Sequence, residues 1–160
     1  MHLTHEEIRN VFEYEDRGIL RRVNGGKKDY PWRGAGLDRK YFSCKVKGKD
    51  VYLHRAIWFW HYGWVPNSLD HIDGNPSNNK IENLRPCTQT QNNYNMRRPS
   101  SNTSGVKGVR YCAGRAKPFR AEIRIAGKKH HIGYYETLEE AAIAYKDYAT
   151  IVAGEFVRAV

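Results

Sequence analysis

The sequence predicts an α+β protein of two domains, on three observations. The run LDHIDGNPSNNKIENLRPCTQTQN, residues 69–92, reads as strand, loop, strand and helix. Residues 105–157 read as three short strands followed by one amphipathic helix. Between them NYNMRRPSSNTS, residues 93–104, passes from helix-forming to Pro, Ser and Asn composition, where a linker belongs. The expected boundaries are 1–98 for the first domain, 99–104 for the linker and 105–160 for a three-stranded antiparallel sheet plus one helix.

A chain of 160 residues has room for two small domains with modest cores. Its formal net charge of +10 favours a polyanionic partner, nucleic acid first. Cys44, Cys87 and Cys112 are odd in number and lack CxxC spacing. That supports neither a disulfide framework nor a cysteine-rich zinc site, and it fits a reducing cytoplasm. The longest bulky apolar run, Ala56 to Trp60, is too short to span a bilayer and the N-terminus lacks an apolar signal core. A soluble, unsecreted protein with no membrane partner is expected.

In chain order, Thr4 with Glu7 three residues later makes a capping box, and Ile8, Val11 and Phe12 continue one helical face. Tyr14–Val23 and Tyr41–Leu53 contain β-prone segments. Between Arg17 and Lys49 eleven Lys/Arg face two Asp, interleaved with aromatics; this is a solvated basic face or a grip on DNA phosphates. Leu53–Gly63, LHRAIWFWHYG, is apolar on nearly every side and reads as a buried helix forming the back wall of the first domain. His54 and His61 on it read first as packed histidines, with a role as extra ligands or a leaving-group acid as the alternative.

In the 69–92 run, Asp73-Gly74 and the following Asn75, Pro76, Ser77, Asn78 and Asn79 are turn chemistry, so these residues stand outside the candidate site. Leu69 and Ile72 before the loop, and Ile81 and Leu84 after it, suggest two antiparallel strands. Pro86 should stop the second. Thr88 and Gln91 form another capping box, starting a helix through about Arg97. Asn92, in its first turns, can then face Asp70 and His71. A carboxylate plus an amide oxygen suits a hard divalent cation, Mg²⁺ or Mn²⁺. A neutral His71 beside it suits a general base. Adjacent strand residues point to opposite faces, so Asp70 and His71 need an irregular backbone to share one phosphate.

DHIDGN, NLR and the closing asparagine resemble the HNH endonuclease family, in the variant carried by phage and intron homing enzymes. The resemblance implies a ββα-metal nuclease fold, with Asp70 and Asn92 as metal ligands and His71 activating water. Asn83 would hold the loop and orient His71. The family's final histidine is Asn92 here, which favours Mg²⁺ or Mn²⁺ over a zinc-type site. His54-Arg55 matches the pattern that commonly precedes DHIDGN in the family.

In the second domain, Val106–Cys112, Phe119–Ala126 and Lys129–Tyr135 are β-prone, with turns at Gly114 and Gly127. Thr137 with Glu140 caps a helix whose apolar face is Leu138, Ala141, Ala142, Tyr145, Tyr148, Ala149 and Val152. Between Gly105 and Tyr134 eight Lys/Arg face only Glu122. GVKGVRY, FRAEIRI and HHIGYYETLEEAAIAYKDYA resemble the APETALA and ethylene-response-factor type of DNA-binding domain, whose sheet enters the major groove. The resemblance implies that Arg110, Arg120, Glu122 and Arg124 lie at the DNA, where arginine contacts guanine edges or phosphates. Lys128 and Lys129 on the same sheet, and Arg97 and Arg98 beside the linker, are further candidate DNA contacts.

The reading is a metal-dependent DNA endonuclease of homing type that acts as a monomer on double-stranded DNA. One site nicks one strand and leaves 3′-hydroxyl and 5′-phosphate ends. The expected location is the cytoplasm, that of a host cell if the chain is phage-encoded. The alternatives are a non-catalytic sequence-specific DNA-binding regulator and an RNA-binding protein. Side chains cannot enter the deep A-form groove, which disfavours RNA. A fragment ending at Arg98 is expected to stay folded as a weak, less selective nuclease.

Overall fold

The computed structural model describes residues 4–24, 32–33, 41–96 and 98–157. Much of the basic run between Arg17 and Lys49, and Arg97 with it, lies outside the described residues. The chain folds as two compact units, Met1–Cys87 and Thr88–Val160.

The first unit opens with helix α1, His5–Val11, on the expected capping box: Thr4 Oγ1 accepts from the Glu7 N–H and Glu7 Oε2 accepts from the Thr4 N–H. Strands β1, Phe12–Glu15, and β2, Ile19–Arg22, form a hairpin. Strands β3, Trp32–Arg33, β4, Phe42–Val46, and β5, Lys49–Tyr52, form an antiparallel sheet in that order. Helix α2, Leu53–Tyr62, is the expected back wall. Its Leu53, Ala56, Ile57 and Trp58 pack with Ile8, Phe12, Leu20, Cys44, Val46, Leu69 and Leu84 in one core. Strands β6, Ser68–His71, and β7, Leu84–Cys87, pair antiparallel across a loop that ends in a 3₁₀ turn, Ile81–Asn83. Pro86 does not stop β7. It pairs with Leu69 inside a two-stranded ribbon, where a strand's outer side needs no N–H.

In the second unit, helix α3, Gln89–Asn95, starts at the Thr88–Gln91 capping box. Strands β8, Val109–Tyr111, β9, Phe119–Ile125, and β10, Lys128–Tyr135, form an antiparallel sheet with β9 central. Helix α4, Leu138–Ala153, begins at the Thr137–Glu140 capping box and packs on the face bearing Ala121 and Ile123. Its buried stripe is Ala141, Tyr145, Ala149 and Ala153. Tyr148 and Val152, expected on that stripe, are exposed, because only the line of residues spaced by four, 141, 145, 149 and 153, meets the sheet. Gly108 makes the closest approach. A Cβ there would lie 2.0 Å from the Tyr145 ring, and its φ of +74° also favours glycine.

Residues 99–104 are tied to the sheet. Asn102 Nδ2 donates to the carbonyls of Val106 and Val109, Ser104 Oγ donates to Val109, and Arg98 donates to the Asn102 carbonyl. Among the described residues no helix is long and apolar enough to cross a membrane.

Candidate active site

The β6–β7 register is regular: Ser68 pairs with Cys87, Leu69 with Pro86, Asp70 with Arg85 and His71 with Leu84. The irregular backbone that Asp70 and His71 would need to share one phosphate is therefore absent, and each side chain is held separately. Asp70 is 4% exposed, and its Oδ2 accepts from Nε and Nη2 of Arg85 at 3.0 and 2.9 Å. This pair follows from the register, since directly opposed residues share a face. The carboxylate is thus a hard oxygen donor fixed in direction by a guanidinium.

His71, 6% exposed, is fixed by Asn79, whose Oδ1 lies 3.0 Å from His71 Nε2. The Asn79 Nδ2 donates to the Ser77 carbonyl, which turns Oδ1 toward the ring. An amide oxygen facing Nε2 suits the tautomer in which Nε2 carries the proton. Asn79 is itself 2% exposed and cannot swing away. Behind it, the β1–β2 turn closes in: a Cβ on Gly18 would lie 2.5 Å from the Asn79 carbonyl carbon, and Tyr14 Oη accepts from the Ile81 N–H.

The remaining loop residues clasp one another. Asp73 and Asn83 bond reciprocally, the Asp73 N–H to Asn83 Oδ1 and Asn83 Nδ2 to Asp73 Oδ1, while Asn83 Nδ2 also donates to the Asn78 carbonyl. Asn78 Nδ2 and the Asn75 N–H donate to Asp73 as well. Burial pushes the Asp73 carboxyl up, but hydrogen bonds from Asn78, Asn75 and Asn83 and the nearby His71 outweigh it and leave its pKa below the usual value. Asn83 holds the loop as expected. The hydrogen bond to His71 expected from Asn83 comes instead from Asn79, because the Asn83 amide is engaged by Asp73 and Asn78.

Aromatic rings enclose His71 further: His54 meets it edge-on at 5.2 Å between centroids and Tyr41 stacks at 6.1 Å, with Tyr52 stacked on His54. Burial, then the charges of His71 and Arg55, pushes the His54 pKa down to about 3. His54 is therefore a neutral packing ring at ordinary pH.

Asn92 belongs to the second unit, half-buried on α3, with its N–H donating to the Thr88 carbonyl. Burial raises the Cys87 thiol near Asp70, so it stays protonated and offers no soft thiolate donor. Among the described residues no group of three or more His, Cys, Asp and Glu gathers to hold a metal. Asp70, a carboxylate with no thiolate beside it, is a donor type that fits a hard divalent cation keeping most of its waters.

On the sheet, Arg110 pairs with Arg120, His131 with Glu122, and Lys129 with Arg124. Arg110, Arg120, Glu122, Arg124 and Lys129 therefore share the face away from α4, while Lys128 pairs with Ile125 on the other. Glu122 is ion-paired with Arg110, Arg120 and Lys129 at 3.3, 3.0 and 3.7 Å.

Arg85 and Asn79 were not legible as site residues from composition. Counting the register outward from the loop finds Arg85; nothing in a Pro-Ser-Asn-Asn run singles out Asn79.

Comparison with known proteins converges on the same segment. The HNH endonuclease family model matches residues 51–94, from β5 into α3. Protein 3.8 of Escherichia phage T7 is 36% identical over 107 residues, which cover 66% of this chain and 87% of that protein. An uncharacterized HNH endonuclease of Acanthamoeba polyphaga mimivirus is 36% identical over 107 residues, covering 65% of this chain and 54% of that one. No solved structure matches. The chain belongs to the HNH endonuclease family and is an endonuclease of that family.

Proposed function

We propose that this endonuclease hydrolyses double-stranded DNA by general-base catalysis at His71 with a hard divalent metal, Mg²⁺ or Mn²⁺, on a ββα-metal core. The observation that supports the reading is the His71 Nε2 contact to the buried Asn79 Oδ1, which suits a tautomer with Nδ1 as the base. His71 takes a proton from the attacking water, a role worth about 10²- to 10⁴-fold in rate. Asp70, aimed by Arg85, and Asn92 would hold the ion, Asn92 on the residue pattern alone. When bound, such an ion stabilises charge on the scissile phosphate and the leaving 3′-oxygen. Asp70 and His71 are each under a tenth exposed and the regular register points them to opposite faces, so the backbone between them must bend and the side chains around them give way for both to reach one phosphate.

The products are 3′-hydroxyl and 5′-phosphate ends. A monomer with one Asp, His and Asn set nicks one strand, as a homing-type enzyme of phage kind. The second unit serves as an APETALA-type DNA reader, supported by the cation-rich face of Arg110, Arg120, Arg124 and Lys129 around Glu122. Supercoiled plasmid incubated with the protein and Mg²⁺, Mn²⁺ or EDTA tests this. Metal-dependent open-circle product is expected; binding without cleavage under every condition would instead favour a DNA-binding regulator.

A further inference from the structure

Helix α3 has seven residues, too few to be stable alone in water, so its order comes from what holds it. The Thr88–Gln91 box supplies the N-terminal end. At the other end Lys107 Nζ donates to the carbonyls of Asn93, Tyr94 and Met96 at 3.1, 2.7 and 2.6 Å. An ammonium has three protons, and a cation at a helix C-terminus also suits the helix dipole. A second tie runs from Tyr94 Oη to the Arg124 carbonyl at 2.9 Å, with Tyr94 only 7% exposed. The backbone beside Lys107 is fixed in turn, since Gly108 lies under the Tyr145 ring of α4. Asn92 sits inside this clasp, its carbonyl accepting from the Met96 N–H.

We infer that Lys107 is a positioning residue for the nuclease: by clasping the last turn of α3 it fixes Asn92. The inference rests on the reading of Asn92 as a metal ligand. It replaces the expectation for a fragment ending at Arg98, because that fragment keeps Asn92 but loses Lys107, Arg124 and α4.

The test uses the full chain and the variants Lys107→Met, Lys107→Arg, Tyr94→Phe and Asn92→Ala. Mn²⁺ affinity is measured without DNA, amide hydrogen exchange over 92–96 and DNA affinity in EDTA alongside it, and single-turnover cleavage last. Lys107→Met should speed exchange in α3 and weaken Mn²⁺ binding by about 10- to 100-fold, the range for loss of a group that orients a ligand. Cleavage should fall with it. Lys107→Arg should recover most of both, and Tyr94→Phe should shift both in the same direction by less. Wild-type Mn²⁺ affinity in Lys107→Met, with Asn92→Ala weakened, overturns the positioning role alone. Unchanged affinity in Asn92→Ala overturns the ligand reading and the inference together. If Lys107→Met does not fold, Tyr94→Phe decides: wild-type exchange and affinity there contradict the clasp.

Discussion

The loop between β6 and β7 and the open face of the β8–β10 sheet are both crowded with polar groups, and they use them in opposite ways. In the loop, Asp73, Asn78, Asn79 and Asn83 are joined to one another or to His71 by bonds of 2.7 to 3.1 Å, and Asn79 and Asn83 are buried. On the sheet, three cations converge on Glu122, and Arg110 and Lys129 keep side-chain exposures of 53% and 59%. Exposed pairs of that kind contribute about 0 to 1 kcal/mol each and are easily exchanged for a phosphate. In the proposed reading the network of buried bonds fixes the angles that proton transfer requires, and the loose cluster of cations supplies affinity. Substitutions in the loop should therefore alter rate, and substitutions on the sheet should alter binding.

The largest effect is expected at Asp70. Asp70→Ala should abolish metal-dependent cleavage, and it also strands Arg85, whose side chain is only 12% exposed. Breaking such a buried pair costs about 3 to 5 kcal/mol. The double variant Asp70→Ala/Arg85→Met should regain much of the lost Tm and none of the cleavage. Cleavage by the stabilised double variant would remove Asp70 from the chemistry. Next in size is Asn79→Ala, which frees the His71 ring. Misplacement of a reacting group by about 1 Å costs roughly 10²-fold, so kcat should fall by that order with DNA affinity unchanged. Equal rates would show that packing by Tyr41 and His54 orients the ring without Asn79.

Much of this division was legible in the sequence. The capping boxes at Thr4, Thr88 and Thr137 are local patterns with a local cause, and all three form. DHIDGN and NLR carry the family, and alternation in FRAEIRI gives the two faces of β9. What stayed hidden depends on closure in space. Asn79 and Asn78 are neighbours of the same type in one turn-forming run, yet Asn79 meets His71 while Asn78 clasps Asp73. Their separation is set by the β1–β2 turn packed behind residue 79, a contact between distant segments. Likewise α3 reads as the end of the first domain by motif, although its ties run to Lys107 and Arg124.

Smaller effects belong to the sheet. Arg124→Ala should flatten the plot of log affinity against log salt by about 0.9 if its one phosphate contact is lost. Glu122→Gln should steepen it by up to about 0.9 for each of Arg110, Arg120 and Lys129 that turns to a phosphate, with cleavage at saturating protein unchanged. Unchanged slopes in both would take this face off the DNA.

A separate effect is on acid stability and belongs to the first unit. Burial first holds His54 down to about 3, and burial also lowers His61, against an ordinary value of 6.5. The unfolded chain then binds more protons than the folded one between those values. Stability is whole above about pH 6.5 and falls as pH drops toward 3. Urea midpoints from pH 7.5 to 4.5 should decline, and less steeply in His54→Gln. Parallel declines would assign the acid sensitivity to other groups.

His71 carries the central claim, and one comparison tests it directly: single-turnover nicking of supercoiled plasmid with Mg²⁺, at protein concentrations that saturate the DNA, for wild type and His71→Ala. With binding equalised, the account predicts a rate lower by about 10²- to 10⁴-fold in the variant and the same DNA affinity in EDTA. A rate within a few-fold of wild type would contradict it.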